Sequence, residues 1–134
     1  MKLVIHVDGG ARGNPGPAAI AAVFSTPDGD VVGDAKEAIG VATNNVAEYK
    51  ALLLGLERAK EMGATEVEVV NDSELVQKQV NGQYKVKHPD MKPLYAEAIN
   101  ALAGFDDWAI RSVPRAQNKD ADLLVNQALD AAAF

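Results

Sequence analysis

Apolar runs and their spacing divide the 134-residue chain into a succession of elements. Residues 2–7 read as a strand that ends at Asp8, and a glycine-rich turn over residues 9–17 follows. Residues 18–25 read as a second strand. Pro27-Asp28-Gly29-Asp30 is turn chemistry, so residues 31–39 return as a third strand. The period then changes. Tyr49, Leu52, Leu53, Leu56 and Ala59 recur at helical spacing, which predicts a helix over residues 46–62. Thr43-Asn44-Asn45 offers N-cap chemistry for it, and Gly63 ends it. A fourth strand over residues 67–71 and a short helix over residues 73–80 come next, closed by Asn81-Gly82. A loop over residues 84–92, a helix over residues 93–103 closed by Gly104, a fifth strand over residues 108–113 and a terminal helix over residues 120–133 complete the chain.

The order βββαβααβα predicts an α/β fold: a five-stranded mixed sheet flanked by helices. No internal repeat, low-complexity tract or linker interrupts it, so one domain over residues 1–134 is expected. If the first and fourth strands are parallel neighbours, their carboxyl ends meet at one rim, about 4.8 Å apart. Open α/β sheets place ligands at such a rim.

Composition narrows the chemistry. The chain has no cysteine, which excludes disulfides, thiolate metal sites and a cysteine nucleophile. The longest apolar run, residues 51–56, is too short to span a bilayer, and residues 1–7 are too short and polar for a signal peptide. A soluble, cytoplasmic, monomeric protein with no membrane partner is the expectation. The net charge of −6 argues against indiscriminate binding to a polyanion. A polyanion partner would require local clustering of the basic residues. Lys85, Lys87 and Lys92, with His88, form such a cluster, interrupted by one acid, Asp90.

Four acids stand at element ends: Asp8, Glu48, Asp72 and Asp122. Each has a local reading. Asp8 before Gly9-Gly10 suits a turn. Glu48 lies three residues after Asn45, near a capping box. Asp72 suits the cap of the short helix. Asp122 suits the first turn of the last helix. None of these readings explains convergence on one rim. Hard carboxylate oxygens around a phosphate are what divalent cations need in order to activate water and stabilise a leaving oxygen. Asp120 lies about 200° around the helix from Asp122 and cannot share its direction. Asp122 is preferred because Leu123, Val125 and Leu129 give that end of the helix a buried flank.

With these neighbourhoods (VDGGARGNPGPA around Asp8, TNNVAEYKALLLGL around Glu48, NDSELV around Asp72 and RAQNKDADLLVNQAL around Asp122) the chain resembles a type 1 ribonuclease H over nearly its whole length. The resemblance implies a ribonuclease H-like fold and endonucleolytic cleavage of the RNA strand of RNA/DNA hybrids with Mg²⁺ or Mn²⁺, two ions per site, leaving 5′-phosphate and 3′-hydroxyl ends. It makes Asp8, Glu48, Asp72 and Asp122 the metal ligands and catalytic acids. It also implies hybrid contacts from Gly13, Asn14, Asn44 and Asn45. Amide side chains suit a groove that displays 2′-hydroxyls and base edges. Local readings remain for these as well: a turn at Asn14, helix capping at Asn44 and Asn45.

The chain departs from the family pattern at three places. Glu74 stands where many relatives have a glutamine that touches the hybrid. The basic helical protrusion of the best-known bacterial type is missing, which places the chain with the compact subgroup. Arg115 stands near the position of a mobile histidine, and its guanidinium cannot act as a base. His6, within the first strand, is expected in the core, and His88 at the surface. Lys85, Lys87, Lys92 and Arg115 are the expected phosphate contacts. The rivals are a non-catalytic hybrid-binding module and a nuclease of the same fold acting on double-stranded RNA or DNA.

Overall fold

The computed structural model describes residues 1–133; Phe134, the last residue of the expected domain, lies outside the described residues. The elements are β1 (Lys2–Ala11), β2 (Gly16–Ser25), β3 (Val31–Ala42), α1 (Asn44–Glu61), β4 (Glu66–Asn71), α2 (Glu74–Val80), α3 (Lys92–Ala103), β5 (Asp107–Ser112) and α4 (Lys119–Ala132). A 3₁₀ turn, Arg115–Gln117, precedes α4. The strands form one sheet in the order β3-β2-β1-β4-β5. β1 pairs antiparallel with β2 and parallel with β4, and β4 pairs parallel with β5. This is the mixed α/β sheet read from the sequence, with the first and fourth strands adjacent.

Alternation along β1 and β2 decides which helix covers which face. Leu3, Ile5 and Val7 of β1, with Ala18, Ile20, Ala22 and Phe24 of β2, join the main core with α1 residues Ala47, Leu52 and Leu56. Gly55 lets α1 sit low on β1: a Cβ there would lie 2.8 Å from Val7 Cγ1 and 3.0 Å from Ile5 Cγ2. The intervening β2 residues Ala19 and Ala21 face the other way, onto Val125, Ala128 and Leu129 of α4. Both faces of β2 are covered, so it reads as a continuous apolar run rather than an alternating one.

Several element ends differ from the expectation. Gly9, Gly10 and Ala11 stay in β1 because they pair with Ile20, Ala19 and Ala18. The expected long turn contracts to residues 12–15, with Gly13 at φ 101° and the Arg12 N–H donating to the Pro17 carbonyl at 2.8 Å. β3 runs on to Ala42 through an irregularity at Gly40, φ 77°. Thr43 caps α1, its Oγ1 accepting from the Val46 N–H at 3.3 Å. Glu48 is therefore in the second turn and takes no part in a capping box. Ser73, not Asp72, caps α2, accepting from the Val76 N–H at 3.2 Å. Leu123 was expected in the buried flank of α4 and is instead 56% exposed. The buried stripe runs through Ala121, Val125, Ala128 and Leu129, and a residue two positions after Ala121 points about 200° away from it.

Candidate functional site

The parallel ladder of β1 and β4 ends at the pair His6–Val70. Asp8 and Asp72 each lie two residues further on, at the rim where the ladder stops. Glu48 enters from α1. One carboxylate oxygen from each of Asp8, Glu48 and Asp72 lies within 4.8 Å of the others. Asp122, in the first turn of α4, stands near Asp8 from the other face of the sheet and acts on its charge. Three of the four acids thus meet at one point, with Asp122 beside Asp8, an arrangement that none of their local readings explains.

Main-chain contact makes this approach possible. Gly9 follows Asp8, and a Cβ on it would run into the Ala47 carbonyl and lie 2.8 Å from the Glu48 nitrogen. The Gly9 backbone N–H, beside the Glu48 carboxylate, favours its ionised form. Asp122 is held by the Arg115 guanidinium, Nη2 to Oδ1 at 3.2 Å.

The electrostatics are those of crowded acids. Asp8 is 4% exposed, and burial, followed by the charges of Asp72 and Asp122, pushes its carboxyl up to about 8; Arg115 opposes the shift. Burial also holds Glu48 well above the usual carboxylate range, with Asp8 and Asp72 adding to it and the Gly9 N–H opposing. Burial raises Asp72, against the pull of Arg115 and of its own backbone N–H. Arg115 is raised by its hydrogen bond to Asp122. Buried hard oxygens that destabilise one another when ionised are a donor set suited to a small divalent cation.

The amide residues form a brace beside this rim. Asn14 Oδ1 accepts from the Asn44 N–H at 3.1 Å, and Asn44 Oδ1 accepts from the Ala11 N–H at 2.9 Å. Both acceptors are engaged inside the protein, so the amide NH₂ groups of Asn14 and Asn44 are left for an outside partner. Asn14 and Asn45 line a cleft of about 170 Å³ together with Thr43, Val46, His88 and Met91. Gly13 is exposed in the same turn.

The basic residues fall into two groups. Lys85, Lys87 and Lys92 are exposed and line shallow grooves around Tyr84, beyond the C-terminal end of α2. A different set, Lys78, Arg111 and Arg115, lines the groove that contains Asp72 and Glu74. Lys78 also sits 5.0 Å over the Tyr84 ring and 3.3 Å from its hydroxyl. Sequence reasoning missed Arg111, which looks like an ordinary strand residue until the sheet order puts β5 beside β4. His6 is half-buried rather than in the core. It lines a groove of about 480 Å³ with Glu68, Arg111, Asn118 and Asp120, because His6 and its β2 partner Val23 face the part of the sheet that α4 leaves open. Asp120 lies in that groove and not with the four acids, as its helical angle required. Asn118 was also missed; it is buried between the two regions.

A family model described as reverse transcriptase-like matches residues 6–128. A bifunctional protein of Mycobacterium tuberculosis (strain ATCC 25618 / H37Rv) is 52% identical over 134 residues, which is 99% of this chain and 37% of the relative. Ribonuclease HI of Halobacterium salinarum (strain ATCC 700922 / JCM 11081 / NRC-1) is 47% identical over 125 residues, covering 93% of this chain and 63% of that protein. The chain therefore spans less than two thirds of the length of these relatives. Among solved structures, RNase H1 from Halobacterium salinarum NRC-1 superposes with a TM-score of 0.96 at 45% identity, over 98% of this chain and 99% of that one. LC11-RNase H1, in complex with an RNA/DNA hybrid, superposes with a TM-score of 0.94 at 41% identity, over 98% and 99% of the two chains.

Proposed function

This chain belongs to the ribonuclease H family, and from that premise we propose that it is an endonuclease hydrolysing the RNA strand of RNA/DNA hybrids, leaving 5′-phosphate and 3′-hydroxyl ends. The observation that carries the reading is the meeting of Asp8, Glu48 and Asp72 within 4.8 Å, with Asp122 against Asp8. A hybrid-binding module without catalysis has no use for such mutual repulsion. All four acids come from one chain, so the reading needs no partner copy.

Asp8, Glu48 and Asp72 would hold one divalent cation, Mg²⁺ or Mn²⁺, and Asp8 with Asp122 a second. Bound there, a cation pair supplies charge to activate the attacking water and to stabilise the leaving 3′-oxygen. The chain's own residues do the rest. Glu48, packed against Gly9 through its main chain, accepts from a ribose 2′-hydroxyl and so disfavours DNA at the cut strand. The free amide groups of Asn14, Asn44 and Asn45 donate into the minor groove, beside the Gly13 backbone. Arg115, released from Asp122, pairs with phosphate near the cut. Lys85, Lys87 and Lys92 hold the backbone of the uncut DNA strand. Cleavage assays on matched RNA/DNA, RNA/RNA and DNA/DNA duplexes with Mg²⁺ and with Mn²⁺ test the reading. Metal-dependent cutting of the hybrid RNA strand is expected, and equal cutting of all three duplexes, or none, would overturn it.

A further inference from the structure

We infer that Asn118 is a positioning residue that ties the stretch of β1 carrying Asp8 to the helix start carrying Asp122 and so sets the spacing of those two carboxylates. Asn118 is 1% exposed and stands at the N-cap position of α4. An asparagine there ordinarily turns its side-chain oxygen onto the free N–H groups of the first turn. This one makes no such bond. Its Nδ2 instead donates to the Val7 carbonyl at 2.8 Å, in the interior and across 111 positions of sequence. Its Oδ1 is buried with no hydrogen-bond partner among the described residues. Folded proteins mostly avoid a buried polar atom in that condition.

Placement accounts for the sacrifice. Val7 immediately precedes Asp8. The carbonyl of Asn118 accepts from the Asp122 N–H at 3.2 Å. One residue thereby grips the first acid's strand with its side chain and the fourth acid's helix with its main chain. The grip falls on the β4 side of β1, just beyond His6 where that ladder stops, while the β2 side stays paired. The 3₁₀ turn delivers Asn118 to the spot, with the Asn118 N–H donating to the Arg115 carbonyl at 3.0 Å. Serine or aspartate at this position would cap α4 and leave the Val7 carbonyl without this donor. A locally preferred choice is set aside at a point next to the reactive carboxylates, which is where such exceptions concentrate.

This inference rests on the metal-dependent reading above. Its test uses the full chain and Asn118→Ser, which can cap α4 but is too short to reach Val7. Mn²⁺ is titrated against two readouts: the thermal midpoint without nucleic acid, and hybrid cleavage. The Mn²⁺ concentration at half-effect is expected to rise about 10–100-fold in both, the scale seen when a group orienting a metal ligand is lost. KM for hybrid at saturating Mn²⁺ should stay near the wild-type value. Asn118→Leu, similar in size and without a donor, should show the same displacement and serves if the serine variant does not fold. A lowered melting temperature with wild-type Mn²⁺ midpoints would make Asn118 purely structural and overturn the inference. A wild-type protein with no Mn²⁺ response would instead sink the metal-dependent reading, and this inference with it.

Discussion

Gly9 and Glu48 touch main chain to main chain: a Cβ on Gly9 would lie 2.8 Å from the Glu48 nitrogen. The strand bearing Asp8 and the helix bearing Glu48 are thus in contact with no side chain between them. Nothing flexible can yield to an added methyl group, since the atoms it meets are backbone. Gly9→Ala is expected to lower stability by roughly 1–3 kcal/mol, the range for overpacking a tight site. It should also cut hybrid hydrolysis far more than hybrid binding, because Glu48 moves away from Asp8. Denaturant melts and single-turnover assays read the two effects. Wild-type turnover in the alanine variant would show that this close approach does not set the site.

Asp72→Asn keeps the side chain's size and removes its charge. Hybrid cleavage should fall by at least about a thousandfold, the scale of losing a principal electrostatic contributor. Hybrid affinity should persist. Without metal, the variant's fold should be as stable as wild type or slightly more so, since one source of repulsion has gone. Near-normal turnover in the purified variant would remove Asp72 from the site.

The raised carboxyl of Asp8 has a stability consequence whose sign is fixed. Its value in the folded protein is about 8, against about 3.9 for an unfolded aspartate. The folded state therefore binds the extra proton, and the stability this contributes is complete below the unfolded value and lost as pH rises through about 8. In the presence of chelator, melting temperature should decline between pH 5 and pH 8.5. Mg²⁺ or Mn²⁺ binds the ionised acids of the folded state alone and should reverse the decline. The quadruple Asn/Gln variant at Asp8, Glu48, Asp72 and Asp122 should show neither the decline nor the metal effect. Equal metal stabilisation in both proteins would mean the cations bind elsewhere.

What the sequence made legible, and what it hid, follows from range. Helical spacing placed α1, and turn residues separated the strands, because those signals are local. Asp8 and Asp72 could be brought together on paper because one assumption, adjacency of the first and fourth strands, carries them to the same rim; Glu48 and Asp122 joined them through the resemblance of their motifs. The length of β1 was misread because Gly9-Gly10 looks like a turn; pairing with Ile20 and Ala19 keeps it extended. Leu123 was misassigned because apolar character was taken for burial, while the angular position relative to Ala121 puts it outward. Asn118 and Arg111 were invisible for a different reason. Each acts through a partner far away in sequence, Val7 in one case and Glu68 in the other, at 2.8 Å and 2.9 Å. No local pattern encodes such pairs.

The last prediction concerns how a protein of net charge −6 grips a polyanion. Positive charge must be concentrated where phosphates lie, or association is slow and weak. Two sets of cations compete for that role. Lys78, Arg111 and Arg115 share a groove with Asp72, but Arg111 is paired with Glu68 at 2.9 Å and Arg115 with Asp122 at 3.2 Å. Lys85, Lys87 and Lys92 are exposed, and no acid lies within 4.0 Å of them among the described residues. The loop that carries Lys85 and Lys87 and leads to Lys92 at the start of α3 also brings His88 to the cleft lined by Asn14 and Asn45, so it adjoins the expected groove contacts. Unpaired cations give up the least on meeting phosphate. Changing Lys85, Lys87 and Lys92 to Ala should therefore raise KM strongly and leave kcat nearly intact, because phosphate positioning is uniform binding. The slope of log affinity against log salt should flatten by roughly two to three units, about one per lost contact. An unchanged slope would move the backbone contact to Lys78, Arg111 and Arg115, whose own ion pairs would then have to open when the hybrid binds.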